Sequence, residues 1–300
     1  MAIDRTTGTA LQPEVAAGPS ANDGAFVVAN PPVRLMTLDE GSQRVMRDHE
    51  ALKKDELWQG DVYDPFAPDE APIPIYLRVG PAVPLVAELL CAVVARALGL
   101  PAPEPFVVLV KPGLLGASAL LGPAQRHLCV GTRDIGGSTF AQLLREDSAT
   151  ALQLVSNWEH LVPVTALDEW LANPDRNMGN ILYVAQTLHI IDHAEAFGGS
   201  LRAIFPLADL TEDVLSNKLA FFLNDHNASQ RQIHLNRAEE WLVFTAGELD
   251  VAAAVAMADI TRWQTAEEEA ELIHFITTRL AITHKLLCNR LGHPQLALSA

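Results

Sequence analysis

The spacing of apolar residues changes a little before the middle of the chain. Before residue 138 they come in short runs bounded by proline, glycine and acidic positions, which is the pattern of strands. RLMTLDEGSQRVM, from Arg34 to Met46, predicts two short strands around a turn at Asp39-Glu40-Gly41. Residues 44–74 are polar and end in Pro65, Pro68, Pro72 and Pro74, which predicts an insertion or long connection. Ile75 to Val79 predicts a strand. Pro84 opens a helix over Leu85–Leu98 that stops at Gly99. Leu85, Leu89, Ala92, Val93 and Ala97 recur at helical spacing, so one face of that helix is expected to be buried. PFVVLV (105–110) predicts a buried strand, and RHLCVGTRDI (126–135) predicts another that leads into Gly136-Gly137.

From Ser138 the pattern becomes helical. Ser138 is the expected N-cap of STFAQLL. SATALQLVSNWEHL and PVTALDEWLA predict two further helices, the second with Pro163 near its start. The turn-rich NPDRNMGN follows, then ILYV, a short connection and LHIID, which predict a hairpin. Helices are expected beyond it near 207–223, 235–246, 248–258 and 264–290, and no repeat of fixed period is visible. The first residues, rich in Ala, Gly, Thr and Pro without periodicity, predict a flexible tail over 1–29.

Composition narrows the function classes. With 49% hydrophobic and 19% charged residues, a sizeable core can form. A net charge of −16, with no run of Lys and Arg, predicts no direct nucleic-acid partner. Cys91, Cys129 and Cys288 are far apart and show no CxxC spacing, which predicts reduced thiols in a cytoplasmic protein. The N-terminus has no basic region followed by an apolar run, so no signal peptide is expected. No apolar stretch reaches about 18 residues, so no membrane span is expected. The stretch nearest to one, Leu85–Leu98, is broken by Glu88 and Arg96.

The candidate chemistry lies in two segments, Leu167 to Leu182 and His189 to Phe197. Asn173-Pro174-Asp175 is a turn initiator between a helix and an apolar strand, so its polar side chains belong at an exposed end. Asp175 and Asn180 are five residues apart across that loop, and Asp192 ends the returning strand. Pairing of ILYV with LHIID brings Asn180 and Asp192 to the open end of one hairpin. Hard oxygen donors in that number suit magnesium, which takes one or two ligands from protein and the rest from phosphates and water. The spacing is also that of a protein kinase: a base, a metal-binding Asn five residues on, and a metal-binding Asp after a short hairpin. Read alone, the Asp175–Asn180 turn is foremost an ordinary Asx-rich helix exit. Arg176 either orients this loop or is solvated, and His193 reads as a packed histidine with no assigned role.

WLANPDRNMGNIL and IIDHAEAF are similar to the corresponding segments of the bacterial HipA-like kinases, as is ELLCAVVARALGLPAPEP, with its helix and its exit. The Asp-Arg-(three residues)-Asn-Ile loop and the Ile-Asp hairpin also resemble, more distantly, those of phosphatidylinositol 3- and 4-kinases. The resemblance runs from about Leu35 to Leu291. It implies a two-lobed, protein-kinase-like α+β fold, with a small β-rich lobe carrying one long helix over 30–130, a large helical lobe over 131–300, and a hinge near Val130 to Gly137. It implies ATP and Mg2+ as cofactors, Asp175 as catalytic base, Asn180 and Asp192 as metal ligands, and a protein Ser or Thr as substrate. It further implies that Arg78 contacts the ATP phosphates and is positioned by Glu88. The family usually has Lys at the Arg78 position, and the exchange is not conservative. Gly41 and Ser42 stand where a glycine loop would cover the nucleotide, without a GxGxxG. These two departures keep open a pseudokinase, and the same site could serve AMP, lipid or small-molecule transfer. Glu88 and Arg78 also have plain readings, as a helix residue at its solvent boundary and as an outward strand position.

Overall fold

The computed structural model describes residues 32–45, 55–116, 118–122, 125–224 and 227–292. The predicted tail at 1–29 and the stretch 46–54 of the predicted connection lie outside the described residues.

The first half is a sheet of β1 (Arg34–Leu38), β2 (Gln43–Val45), β3 (Glu56–Tyr63), β4 (Ile73–Val79), β5 (Pro105–Val110) and β6 (His127–Arg133), in the order β1-β5-β6-β4-β3-β2. β1 runs parallel to β5, and the other neighbours are antiparallel. β1 also meets β3 through Thr37↔Tyr63 and Leu38↔Val62. That last pairing closes β1, β5, β6, β4 and β3 into a ring, which removes the free edges an open sheet would expose.

Alternation along the strands decides what the ring encloses. Ile73, Ile75, Leu77 and Val79 of β4 point inward with Phe106, Val108 and Val110 of β5, and with Met36, Trp58 and Val62. Pro74, Tyr76 and Arg78 therefore stand on the outer face. Gly131 lies opposite Phe106, and a Cβ there would come within 2.8 Å of both Ile75 and Val108. A larger residue at 131 would overpack the ring.

β3 corrects the expected connection over 44–74. ELWQGDVY is an eight-residue strand paired with β4 along nearly its whole length. Trp58 and Val62 have the strand period, but Gln59, Gly60 and Asp61 dilute it, and the ladder with β4 supplies what the pattern lacks.

Helix α1 (Ala82–Ala97) packs against β5, β6 and α7 (Val251–Ala258). All of residues 85–95 are buried, so the helix is covered all round and not on one face. Glu88 is buried with them and is no solvent-boundary residue.

The second half begins with β7 (Ser138–Thr139) and α2 (Phe140–Glu146). The N-cap is Thr139, whose Oγ1 accepts from Gln142 N at 3.2 Å while Gln142 Oε1 accepts from Thr139 N at 2.8 Å. Ser138 instead pairs with Tyr183. Then come α3 (Ser148–Ser156), α4 (Leu161–Trp170) and the expected hairpin of β8 (Ile181–Val184) and β9 (Thr187–Ile190). The helix expected over 207–223 is two short pieces, a 3-10 turn at Leu207–Leu210 and α5 (Ala220–Leu223). Between them the backbone is held by side chains of other helices. α6 spans Ala228–Glu248, starting earlier than expected because Asn227 caps Ser229 N at 2.9 Å. α8 (Ala266–Arg290) opens with a capping box of Thr265 and Glu268.

Arg279 of α8 locks this half together. Fully buried, it donates to the carbonyls of Trp170 (3.0 Å), Leu210 (2.8 Å), Thr211 (2.9 Å), Asp213 (3.1 Å) and Glu169 (2.6 Å). Burial lowers its pKa to about 10, so it stays charged at neutral pH. These contacts join the end of α4 to the chain after the 3-10 turn.

Arg279→Leu is expected to lower the unfolding free energy by at least about 3 kcal/mol, because several buried carbonyls lose their donor; urea denaturation reads this directly. The hairpin turn makes a second prediction. Ala185 and Gln186 both have positive φ, +47° and +67°. Replacing the pair with Asn-Gly, the residues that such a turn prefers, should raise stability by about 1 kcal/mol, measured by the same titration.

Candidate active site

At the end of α4, Ala172 adopts a left-handed φ of +51° and the chain turns into the NPDRN loop. Asn173 Nδ2 donates to Asp168 Oδ1 at 3.0 Å, and Asn173 Oδ1 accepts from Asp175 N at 3.2 Å, an Asx turn that fixes where the loop leaves the helix. Arg176 is fully buried. Its Nε donates to Asp168 Oδ2 at 3.0 Å, and its Nη1 to the carbonyls of Asn180, at 3.0 Å, and of Ile191. Nη2 meets His193 Nδ1 at 2.9 Å. Arg only donates, so Nδ1 is the acceptor and the imidazole proton sits on Nε2. Burial, with the nearby Arg176 and Arg78 charges, pushes His193 well below its ordinary range, consistent with a neutral ring. Burial pushes the Asp168 carboxyl up, and Arg176 opposes it.

The loop brings Asp175 and Asn180 together. Asn180 Nδ2 donates to the Asp175 carbonyl at 2.9 Å and lies 3.5 Å from Asp175 Oδ2. Asn177 Nδ2 donates to the same carbonyl at 3.0 Å. Lys218 Nζ lies 3.6 Å from Asp175 Oδ1. The hairpin then brings Asn180 next to the second segment: Ile191 N donates to the Asn180 carbonyl at 3.1 Å, one residue before Asp192. Asp192 has φ +56°, a left-handed conformation that aspartate tolerates better than most residues.

Arg78 is the centre of the second cluster. It pairs with Asp55, with Glu88 Oε2 at 3.5 Å and with Asp192 Oδ1 at 2.7 Å. Burial works against its charge, but Asp192, Glu88 and Asp55 more than offset this, and its pKa is raised. Glu88 Oε2 also accepts from His193 N at 2.7 Å. Burial pushes the Glu88 carboxyl up against the pull of Arg78. Arg78, Glu88 and Asp192 line one part of a cavity of about 410 Å3, whose other walls include Tyr76, Thr132 to Gly137, Gln142 and Leu182. Gly137, with φ +88°, packs so closely on the Tyr183 carbonyl that a Cβ has no room.

Asp175 and Asn180 are not among the cavity's lining residues; Asn180 is joined through its carbonyl to Ile191, which is. Gly41 and Ser42 are not brought to the cavity either. Gly41 sits at φ +91° in the β1–β2 turn, Ser42 Oγ reaches back to the Asp39 carbonyl at 3.4 Å, and Ser42 packs on Gly60 of β3.

The donor set fits magnesium by its chemistry. Asp192 offers a carboxylate, and Asn180, whose amide nitrogen is spent on Asp175, keeps an amide oxygen; both are hard donors. Among the described residues no three or more His, Cys, Asp or Glu side chains gather into a metal site. One carboxylate and one amide are the share that protein supplies when phosphates and water complete the shell.

Sequence reading missed Asp55, Asp168 and Lys218, and left Arg176 unassigned. Asp55 lies inside the segment, 44–74, read as a connection. Asp168 was legible in principle, since a carboxylate on an apolar helix needs a partner and Arg176 follows eight residues on. Nothing in the local pattern marks Lys218.

A family model described as HipA-like kinase matches residues 79–237. A search of curated proteins finds no match. Among solved structures, the chain is similar to the proinflammatory kinase CtkA of Helicobacter pylori, at 12% identity and a TM-score of 0.48, covering 87% of this chain and 100% of that one.

Arg176→Leu strands the Asp168 charge and should cost about 3–5 kcal/mol. Asp168→Leu added to it should recover part of that loss, since no buried charge then lacks a partner. Urea unfolding of both variants checks the pair.

Proposed function

The chain belongs to the HipA-like kinase family, and on that premise we propose that it transfers the γ-phosphoryl group of ATP, with magnesium, to a serine or threonine hydroxyl of a protein. The observation that carries this reading is the convergence of Arg78, Glu88 and Asp192 on one cavity, with the Asp175–Asn180 loop joined to it through Ile191.

In this reading Asp175 orients the acceptor hydroxyl and takes its proton as the oxygen bonds to phosphorus and the bridge to the β-phosphate breaks, releasing ADP. Asn180 and Asp192 would hold magnesium, which supplies neutralisation of phosphate charge when bound. Arg78 donates to phosphate oxygens and is kept in place by Glu88 and Asp55. Arg176 holds the base loop and the hairpin in register. The cavity, bounded on one side by residues 132–137, receives the nucleotide. The hinge of this reading, near Val130 to Gly137, joins a small lobe over 30–130 to a large lobe over 131–300, and the positive φ of Gly136 and Gly137 suits a link that must bend. The Gly41-Ser42 turn takes no assigned part. Among the described residues no single helix is long and apolar enough to cross a membrane. The buried free thiols Cys91, Cys129 and Cys288 support a reducing, cytoplasmic setting.

One observation favours a second reading. Arg78 is bonded to Asp192 at 2.7 Å, so the cation that would grip phosphate is paired with the carboxylate that would grip metal. If nucleotide does not displace that pair, the protein is a pseudokinase that acts as an interaction module.

Calorimetric titration of ATP with and without magnesium is the first test. Magnesium-dependent binding is expected for the wild type and lost in Asp192→Asn; no binding in either protein overturns the reading. Asp175→Ala should lower turnover by about 10²–10⁴-fold, the usual worth of a positioned base, with ATP affinity changed less than about twofold. Binding with no turnover in the wild type establishes the pseudokinase.

A further inference from the structure

We propose that Lys218 is a positioning residue for Asp175, presented from the segment after the hairpin and held there by a buried network on α4 and α8. The proposal rests on the kinase reading of Asp175.

Lys218 Nζ lies 3.6 Å from Asp175 Oδ1, and among the described residues this is the one ion pair that Asp175 makes. Both side chains are partly exposed, at 51% and 37%. A pair of that kind between free side chains adds little to stability. What sets this one apart is how its backbone is placed.

The Glu169 carboxylate, 1% exposed, accepts from Arg290 Nε at 2.6 Å and from Arg290 Nη2 at 3.1 Å. Arg290 Nη2 also donates to the Leu215 carbonyl. Asn217 Nδ2 donates to the Thr165 carbonyl at 2.9 Å and lies 3.4 Å from Glu169 Oε2. The chain is therefore gripped at the Leu215 carbonyl and at the side chain of Asn217, the residue before Lys218. The network is costly: Asn217 Oδ1 is buried with no partner, and apolar residues in place of such an ion pair are often at least as stable. Its cost is accounted for if its product is location.

The location is shared with the base. Asp168 and Glu169 are consecutive on α4 and hold opposite halves of one contact. Asp168 grips Arg176 and Asn173, which set the Asp175 loop. Glu169 grips Arg290 and Asn217, which set Lys218. One turn of one helix thus fixes both the carboxylate and the ammonium that faces it. Lys218 and Asn177 both approach Oδ1 of Asp175, at 3.6 and 3.3 Å, while Asn180 Nδ2 lies 3.5 Å from Oδ2, so the carboxylate has neighbours on both oxygens that favour one orientation. A base oriented in this way loses less orientational freedom when the acceptor hydroxyl arrives.

Two measurements test this. The first needs no activity. The chain has five lysines, Lys53, Lys54, Lys111, Lys218 and Lys285. Acetic anhydride labelling read by mass spectrometry should modify Lys218 several-fold more slowly in the wild type than in Asp175→Asn, with Lys285 unchanged as the internal standard. The second follows release of γ-phosphate from MgATP, to water or to the protein itself. Lys218→Met should lower kcat by about 10–100-fold, the cost of a misplaced catalytic group, with KM for ATP within about twofold. Lys218→Arg should restore most of the loss. In the Asp175→Asn background Lys218→Met should add nothing, because the two act as a unit. If the wild type turns over MgATP and Lys218→Met matches it, or if the two effects multiply, Lys218 has no such role and the kinase reading stands. Equal labelling of Lys218 in wild type and Asp175→Asn overturns the pairing in the same way. If the wild type neither binds nor hydrolyses MgATP, the kinase reading falls, and a labelling difference then marks a structural pair only.

Discussion

The Arg176 guanidinium has no access to water, so its partners have to come from the protein. They come from four places: the α4 carboxylate Asp168, the carbonyls of Asn180 and Ile191, and the His193 ring. They lie on three stretches of chain, the end of α4, the loop before β8 and the segment after β9, and the guanidinium fork tolerates only a narrow range of directions. The helix end, the loop and the hairpin are therefore set relative to one another by one side chain. The constraint travels further, since His193 N holds Glu88 and Glu88 in turn faces Arg78 on β4. A contact inside the second half of the molecule thereby fixes the cation on the outer face of the ring.

That cation carries the tension in the site. Arg78 meets three carboxylates, Asp55, Glu88 and Asp192, in a space where burial penalises every charge not matched. Asp192 reaches it from a left-handed backbone, a conformation that costs energy unless the surroundings hold it. Three carboxylates face one guanidinium beside the cavity, and Glu88 is held in addition by the His193 N–H. Arginine at this position makes more bonds at once than lysine could, and one of them holds Asp192 at 2.7 Å.

Much of the architecture was legible along the chain. The strand run before residue 138, the buried helix, the hairpin and the long C-terminal helix all follow from local period and capping. β3 was not, because Gln59, Gly60 and Asp61 hide its period, and its ladder is made with the next strand, β4, across the proline-bearing stretch 64–72. The helix expected over 207–223 failed for a related reason. Its sequence is compatible with helix, but Arg279 takes the Leu210, Thr211 and Asp213 carbonyls, and Arg290 and Asn217 grip the stretch that follows.

For the site, the sequence by itself singled out the candidate residues: an Asx turn, an amide five residues on, and a carboxylate at the end of the returning strand. Those are short-range relations, and the hairpin that joins them is encoded by neighbouring residues. It could not determine the partners of Arg78, the covering of Glu88, the burial of Arg176 or the approach of Lys218 to Asp175. Each joins residues from eight to more than a hundred positions apart. Such contacts leave no periodic trace, because a single charged residue on a strand or helix looks the same whether water or another side chain solvates it. Only closure of the ring and packing of α4 between α6 and α8 decide which of the two it is.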